Sequence, residues 1–226
     1  MYAAWGSDLE TTLRDPALRD RLREAGATRL HVNVDDDEVK PAMRIPTFPT
    51  PIGAIVSVWT EGEAAAVTTA LTPAAERIAG YEVEERLPIE PPEVEDGERT
   101  DALANMALLR RPEDLPRDEW LRNWLVDHTP VAIATQGTFG YIQNVVRQAV
   151  TDDAPGIDAL VEELFPMAAL TDIHAFYGSG GDDAELADRM EKMMASVSHF
   201  GADQNLDLVP TSRYCYDLAQ SDPRAR

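Results

Sequence analysis

Cysteine is nearly missing from this chain: Cys215 stands alone among 226 residues, so no internal disulfide can staple the fold and no cysteine cluster can hold zinc. Histidine is scarce as well, four in all, and no two stand at helical or hairpin ligand spacing. That leaves metal binding and an axial haem ligand without support. No apolar run reaches the roughly eighteen residues that a membrane span needs. Residues 1–8 lack a basic stretch followed by an apolar one, so a secretory leader is not expected and a cytoplasmic protein is. No G-x-G-x-x-G follows a strand to cradle a nucleotide, and no cofactor is predicted. Positive charge is outnumbered, 20 Lys and Arg against 41 Asp and Glu for a net −21. Such a chain repels phosphate backbones and anionic lipid surfaces, which argues against nucleic-acid and membrane partners.

What is present is a globular composition, 44% hydrophobic and 27% charged, enough for one large core or two modest ones. Residues 1–5 read as a short strand. Asp15 followed by Pro16 is an N-cap with proline in the first turn; Leu18, Leu22 and Ala25 then recur at helical spacing up to Gly26. Residues 28–34 alternate, with Leu30, Val32 and Val34 on one face and Arg29, His31 and Asn33 on the other. The polar face is expected in water. The acidic run 35–38 is expected to turn, and four prolines exclude regular structure from 40 to 51. A strand is predicted over 52–60, a helix broken near Pro73 over 62–80, and a strand over 81–89. The first half therefore reads β-α-β-β-α-β.

Residues 93–99 are charged and follow three prolines, the composition of a linker. Beyond them the pattern restarts: a strand at 102–109, a helix from Pro116 to about 134, strands at 139–150 and 156–165, a short helical insertion at 166–177, a helix at 182–200 with Leu186, Met190, Met193, Met194 and Val197 on its apolar face, and a last strand at 206–218. Cys215 lies in that strand as a half-buried structural residue. The expected organisation is an α+β chain of two ferredoxin-like halves, 1–92 and 100–220, joined by 93–99 and followed by a disordered tail at 221–226. Each half needs a partner for one sheet face, and the two sheets can supply it to each other as an internal pseudo-dimer.

Chemistry is concentrated in the second half. Trp120, Trp124 and His128 share one helical stripe. They either fill core space, with His128 complementing the helix C-terminal dipole, or present a functional imidazole. In the next strand Phe139, Tyr141 and Gln143 share one face while Gly140, Ile142 and Asn144 share the other. Tyr, Gln and Asn in a strand built for burial need hydrogen-bond partners, so they line a cavity or face water along an edge strand. His174 and His199 read as capping or surface residues.

The pattern Trp124-x-x-x-His128-x-Pro130 followed by Tyr141-x-Gln143-Asn144 resembles the helix-and-strand signature of EthD-like proteins, over about the last 120 residues. The resemblance implies a ferredoxin-like unit whose sheets pair into a dimeric α/β-barrel, with a ligand cavity between sheet and helices. The wider superfamily includes cofactor-independent monooxygenases, polyketide cyclases and muconolactone isomerases, and also haem-binding chlorite dismutase-like proteins. It also implies an enzyme of oxidoreductase or cyclase/isomerase type acting on a small apolar or aromatic molecule. His128 and Tyr141 are then the catalytic candidates, and Trp124, Gln143 and Asn144 the binding candidates. The alternative is a non-catalytic carrier or stress-protective binder with the same cavity. Pairing with a second copy of the chain stays open.

Overall fold

The computed structural model describes residues 1–219; the predicted tail at 221–226 lies outside the described residues. Two β-α-β-β-α-β runs follow one another. The first comprises β1 (Tyr2–Trp5), α1 (Leu9–Leu13), α2 (Pro16–Glu24), β2 (Ala27–Val34), β3 (Ala54–Thr60), α3 (Ala64–Leu71) and β4 (Arg77–Ile89). The second comprises β5 (Leu103–Leu109), α4 (Arg117–Arg122), α5 (Thr129–Thr135), β6 (Gly140–Ala149), β7 (Ala159–Phe165), α6 (Ile173–Tyr177), α7 (Asp183–His199) and β8 (Asp207–Asp217). The eight strands close into one antiparallel barrel in the order β1-β3-β2-β8-β5-β7-β6-β4. Each run keeps the same internal order, β4-β1-β3-β2 and β8-β5-β7-β6, and closure occurs where β2 meets β8 and β4 meets β6. Closure removes exposed edges. It rules out the edge-strand alternative for β6, which has β4 on one side and β7 on the other.

Local chemistry explains most elements. The Asp15 carboxylate accepts from Ala17 N at 2.8 Å, Pro16 opens α2, Leu18 and Leu22 are buried, and Gly26 at φ +85° ends the turn. Helix α1 has only five residues, too few to show a period in the sequence. The helix expected over 62–80 stops early: after a 3-10 turn at Thr72–Ala74 the chain enters β4, because Ile78 and Gly80 pair with Ala4 and Tyr2 of β1. The helix expected from Pro116 contains a π-helical segment, Asn123–His128, between α4 and α5. Pro130, which has no N–H to give, stands just past that widened turn. The apolar face expected on α7 is narrower than its sequence: Met193 is buried, but Met190 and Met194 are 38% and 50% exposed. This helix packs mainly on α5, α6 and the π-segment and reaches the sheet-side core through Met193, so a slim stripe suffices. Residues 93–99 run along β8, with Gly97 N donating to Cys215 O and Thr100 N to Arg213 O, each at 2.8 Å.

Helices cover the outside of the barrel. Over the first half, Leu9, Leu13, Leu18 and Leu22 pack on Leu30, Val32 and Val34; over the second, Trp120, Trp124, Met193 and Phe200 pack on Tyr141, Val145 and Val161. The interior is apolar at one end, where Met1, Ala3, Trp5, Ile55, Met106 and Leu160 meet, and polar at the other. This polar end corrects the expected solvated face of β2. Asn33 is fully buried and His31 is 8% exposed, because in a closed barrel the strand face turned away from the helices points inward. Among the described residues no helix is long and apolar enough to cross a membrane.

Candidate functional site

Two regions gather polar side chains, one on each side of the sheet. On the helix side of the second half, Asn105 of β5, Glu163 of β7 and Tyr141 of β6 form a transverse row, since Asn105 pairs in register with Glu163 and Glu163 with Tyr141. Burial lifts the Glu163 carboxyl from 4.5 to about 7, against an opposing hydrogen bond with Gln136. Burial also raises the Tyr141 hydroxyl, helped by the nearby Glu163 charge. Gln143 Nε2 donates to Tyr141 Oη at 3.1 Å and to Thr129 Oγ1 at 2.9 Å. Three side-chain carbonyl oxygens in this layer, on Asn105, Gln136 and Gln143, are buried with no donor among the described residues. Buried acceptors without partners are uncommon and call for a hydroxyl or N–H from elsewhere.

A cavity of about 490 Å³ opens at the Asn105 end of the row. Leu103 and Asn105 form its floor, Phe176 and Tyr177 of α6 one wall, and Pro41, Ala42 and Met43 another. The walls thus come from the proline-rich segment of the first half and from the insertion of the second. Phe176 is anchored by stacking on Phe165 at 4.3 Å between ring centres. Gly137 N donates to Phe176 O at 2.7 Å, and an added Cβ at Gly137 would run into the Ala175 carbonyl oxygen.

Inside the barrel, Arg213 of β8 and Glu162 of β7 form an ion pair, Nε to Oε1 at 2.9 Å, with both side chains 4% exposed. The Nε–H is poorly aligned with that oxygen and makes no well-formed hydrogen bond. Asn33 Nδ2 donates to Glu162 Oε1 at 2.8 Å, and Thr211 Oγ1 donates to Ala104 O. Arg213 Nη2 donates to His31 Nδ1 at 3.3 Å. Burial, with Arg213 and Arg29 adding repulsion, pushes the His31 imidazole down to about 2, so the ring is neutral and its proton sits on Nε2. Two cavities, of about 470 and 450 Å³, reach this end of the barrel and share Trp59 and Glu85. Burial raises the Glu85 carboxyl.

The five candidates separate. Trp124, Tyr141 and Gln143 lie together in the helix-side layer, with Trp124 5.2 Å from Trp120 between ring centres. His128 is buried next to them but turned to the helices: its Nδ1 is 2.9 Å from Ser196 Oγ and its ring 4.8 Å from that of Phe200. Burial lowers its pKa to about 4. Asn144 is on the opposite face of β6 and lines the larger interior cavity. Sequence reasoning missed Glu162, Glu163, Asn105 and Arg213. The signal was available for the two glutamates: side by side in the apolar strand Ala159–Phe165, they must point to opposite sides of the sheet.

Neither a family model nor a curated protein matches this sequence. Among solved structures, the crystal structure of an anthrone oxidase-like protein matches with a TM-score of 0.53 at 11% identity, covering 97% of this chain and 92% of that chain. The likeness is one of fold, a barrel of the dimeric α/β-barrel type.

Proposed function

We propose that this chain is a cofactor-independent enzyme that acts on a small hydroxylated aromatic molecule in the helix-side pocket, with Glu163 as the base. Glu163 carries the reading: a carboxyl with a pKa of about 7, set in a row of acceptors that lack donors, is suited to taking a proton from a bound phenol or from a carbon next to a carbonyl. Asn105 and Gln143 accept from the ligand's hydroxyls, and Tyr141 orients its oxygen. Trp124 closes the layer from above. His128 acts as a positioning residue that ties the π-segment to α7 through Ser196. The anion formed on deprotonation is electron-rich enough to react with dioxygen, so the same step serves oxygenation or isomerisation.

The domain reading belongs with this proposal: two ferredoxin-like units, 1–92 and 100–220, paired as an internal pseudo-dimer. The repeated strand order supports it, as does the EthD-like motif. The fold likeness to an anthrone oxidase-like protein makes anthrone and 1,8-dihydroxyanthrone the first substrates to test, following quinone absorbance and oxygen uptake. Turnover is expected, with a rise in kcat/KM centred near pH 7 and a loss of about 100-fold or more in Glu163→Gln. Full turnover in that variant removes Glu163 as the base. Saturable binding without turnover moves the reading to a non-catalytic binder.

A further inference from the structure

The open end of the barrel has the opposite hydrogen-bonding character from the helix-side pocket. Its cavity of about 450 Å³ has His31 and Arg213 among its lining residues. The His31 ring accepts from Arg213 through Nδ1, which leaves Nε2–H free to donate, and Arg213 Nη1 has no partner among the described residues. Both residues are more than nine-tenths buried. The floor therefore offers N–H donors, and the carboxylate that lines the cavity beside them, Glu85, is already paired with Arg29 at 3.8 Å. Trp59 forms an aromatic wall, held by the His31 ring at 4.5 Å between centres and by the Arg29 guanidinium carbon at 3.7 Å from the ring centre. Ile142 and Leu87 add apolar surface.

Charge narrows the ligand further. Glu162 already compensates Arg213, while Glu90, Glu93, Asp96 and Asp217 stand at the rim. An anion meets that acidic rim, and a cation meets Arg213 and Arg29, with Glu162 and Glu85 already paired to them. An uncharged molecule with an acceptor oxygen suffers neither penalty, and the volume lies within the roughly 300–1,000 Å³ usual for small-molecule sites.

We propose that the barrel mouth is a second small-molecule site, for an uncharged planar compound whose carbonyl oxygen accepts from His31 Nε2–H and Arg213 while its ring lies against Trp59. This site is independent of the helix-side pocket and stands or falls separately from it.

The test uses 9-fluorenone as probe, fluorene as the same ring system without the oxygen, and 9-fluorenone-4-carboxylate as the charged analogue, each titrated against tryptophan fluorescence of the full chain. Fluorenone is expected to bind saturably, with fluorene and the carboxylate each about tenfold weaker or more. His31→Phe keeps a ring against Trp59 and removes the donor; it should weaken fluorenone about tenfold and leave fluorene unchanged. Leu87→Trp, at an exposed rim position, should block all three and serves if His31→Phe fails to fold. Equal affinity for fluorene and fluorenone, tighter binding of the carboxylate, fluorenone binding unchanged in both variants, or no saturable binding to the parent chain overturns the proposal.

Discussion

Glu162 and Glu163 stand side by side on β7 and face opposite ways. Glu162 points into the barrel, where Arg213 and Asn33 satisfy it; Glu163 points under the helices, where no cation meets it and burial lifts its pKa to about 7. The strand is the same, and Glu163 is less enclosed than Glu162, so the missing cation marks the difference. A paired buried carboxylate is structural, whereas an unpaired one is held close to its proton and is free to exchange it.

Breaking the pair gives the largest effect. Glu162→Ala leaves Arg213 charged and uncompensated in the interior, and urea unfolding should report a loss of about 3–5 kcal/mol. A result within experimental error of the parent would mean that water already screens the pair.

Acid separates the two regions next. The His31 and His128 pKa values are lowered from 6.5 to about 2 and about 4. The unfolded chain therefore binds protons that the folded chain refuses. The stability each histidine contributes is full above pH 6.5 and is lost as pH falls, about 2 kcal/mol per histidine at about pH 5. Glu163 has the opposite sign: raised from 4.5 to about 7, its contribution is present below 4.5 and is lost as pH rises through 7. Glu163→Gln should accordingly stabilise the fold above about pH 8, by roughly 1–3 kcal/mol, while reducing turnover. A variant less stable than the parent at that pH would show that the Gln136 hydrogen bond outweighs the cost of burial.

The smallest effect concerns the roof of the helix-side pocket. Gly137→Ala pushes its new Cβ against the Ala175 carbonyl, so α6 must shift at a cost of about 1–2 kcal/mol in thermal unfolding. Ligand affinity in the helix-side pocket should fall while fluorenone binding at the barrel mouth stays at the parent value. A parallel loss at both sites would show that they are coupled.

The sequence was readable wherever an element obeyed one period or carried its own stop signals. Asp15, Pro16 and Gly26 bounded α2, and the alternation of Leu30, Val32 and Val34 marked β2 and its helix-side face. What alternation does not carry is the identity of the opposite face. His31 and Asn33 looked solvated because a polar strand face usually meets water, and only closure of β2 onto β8 turns it inward. The candidate site divided for a related reason. Trp124, Tyr141 and Gln143 were brought together by helix and strand periodicity. Asn105 came from a strand over thirty residues earlier in the chain, through a register that no local pattern encodes.

The placement of β8 has a consequence for synthesis. The β4-β1-β3-β2 sheet can form as soon as its own strands have left the ribosome, but its two outer edges must then wait for β6 and β8. The β4 edge can be covered once β6 has emerged, but the β2 edge stays unpaired, and the inner surface incompletely covered, until the last strand is made. The barrel is therefore assembled from its seams late, and the period before closure is when the young chain is most exposed to pairing with a neighbour on the same message.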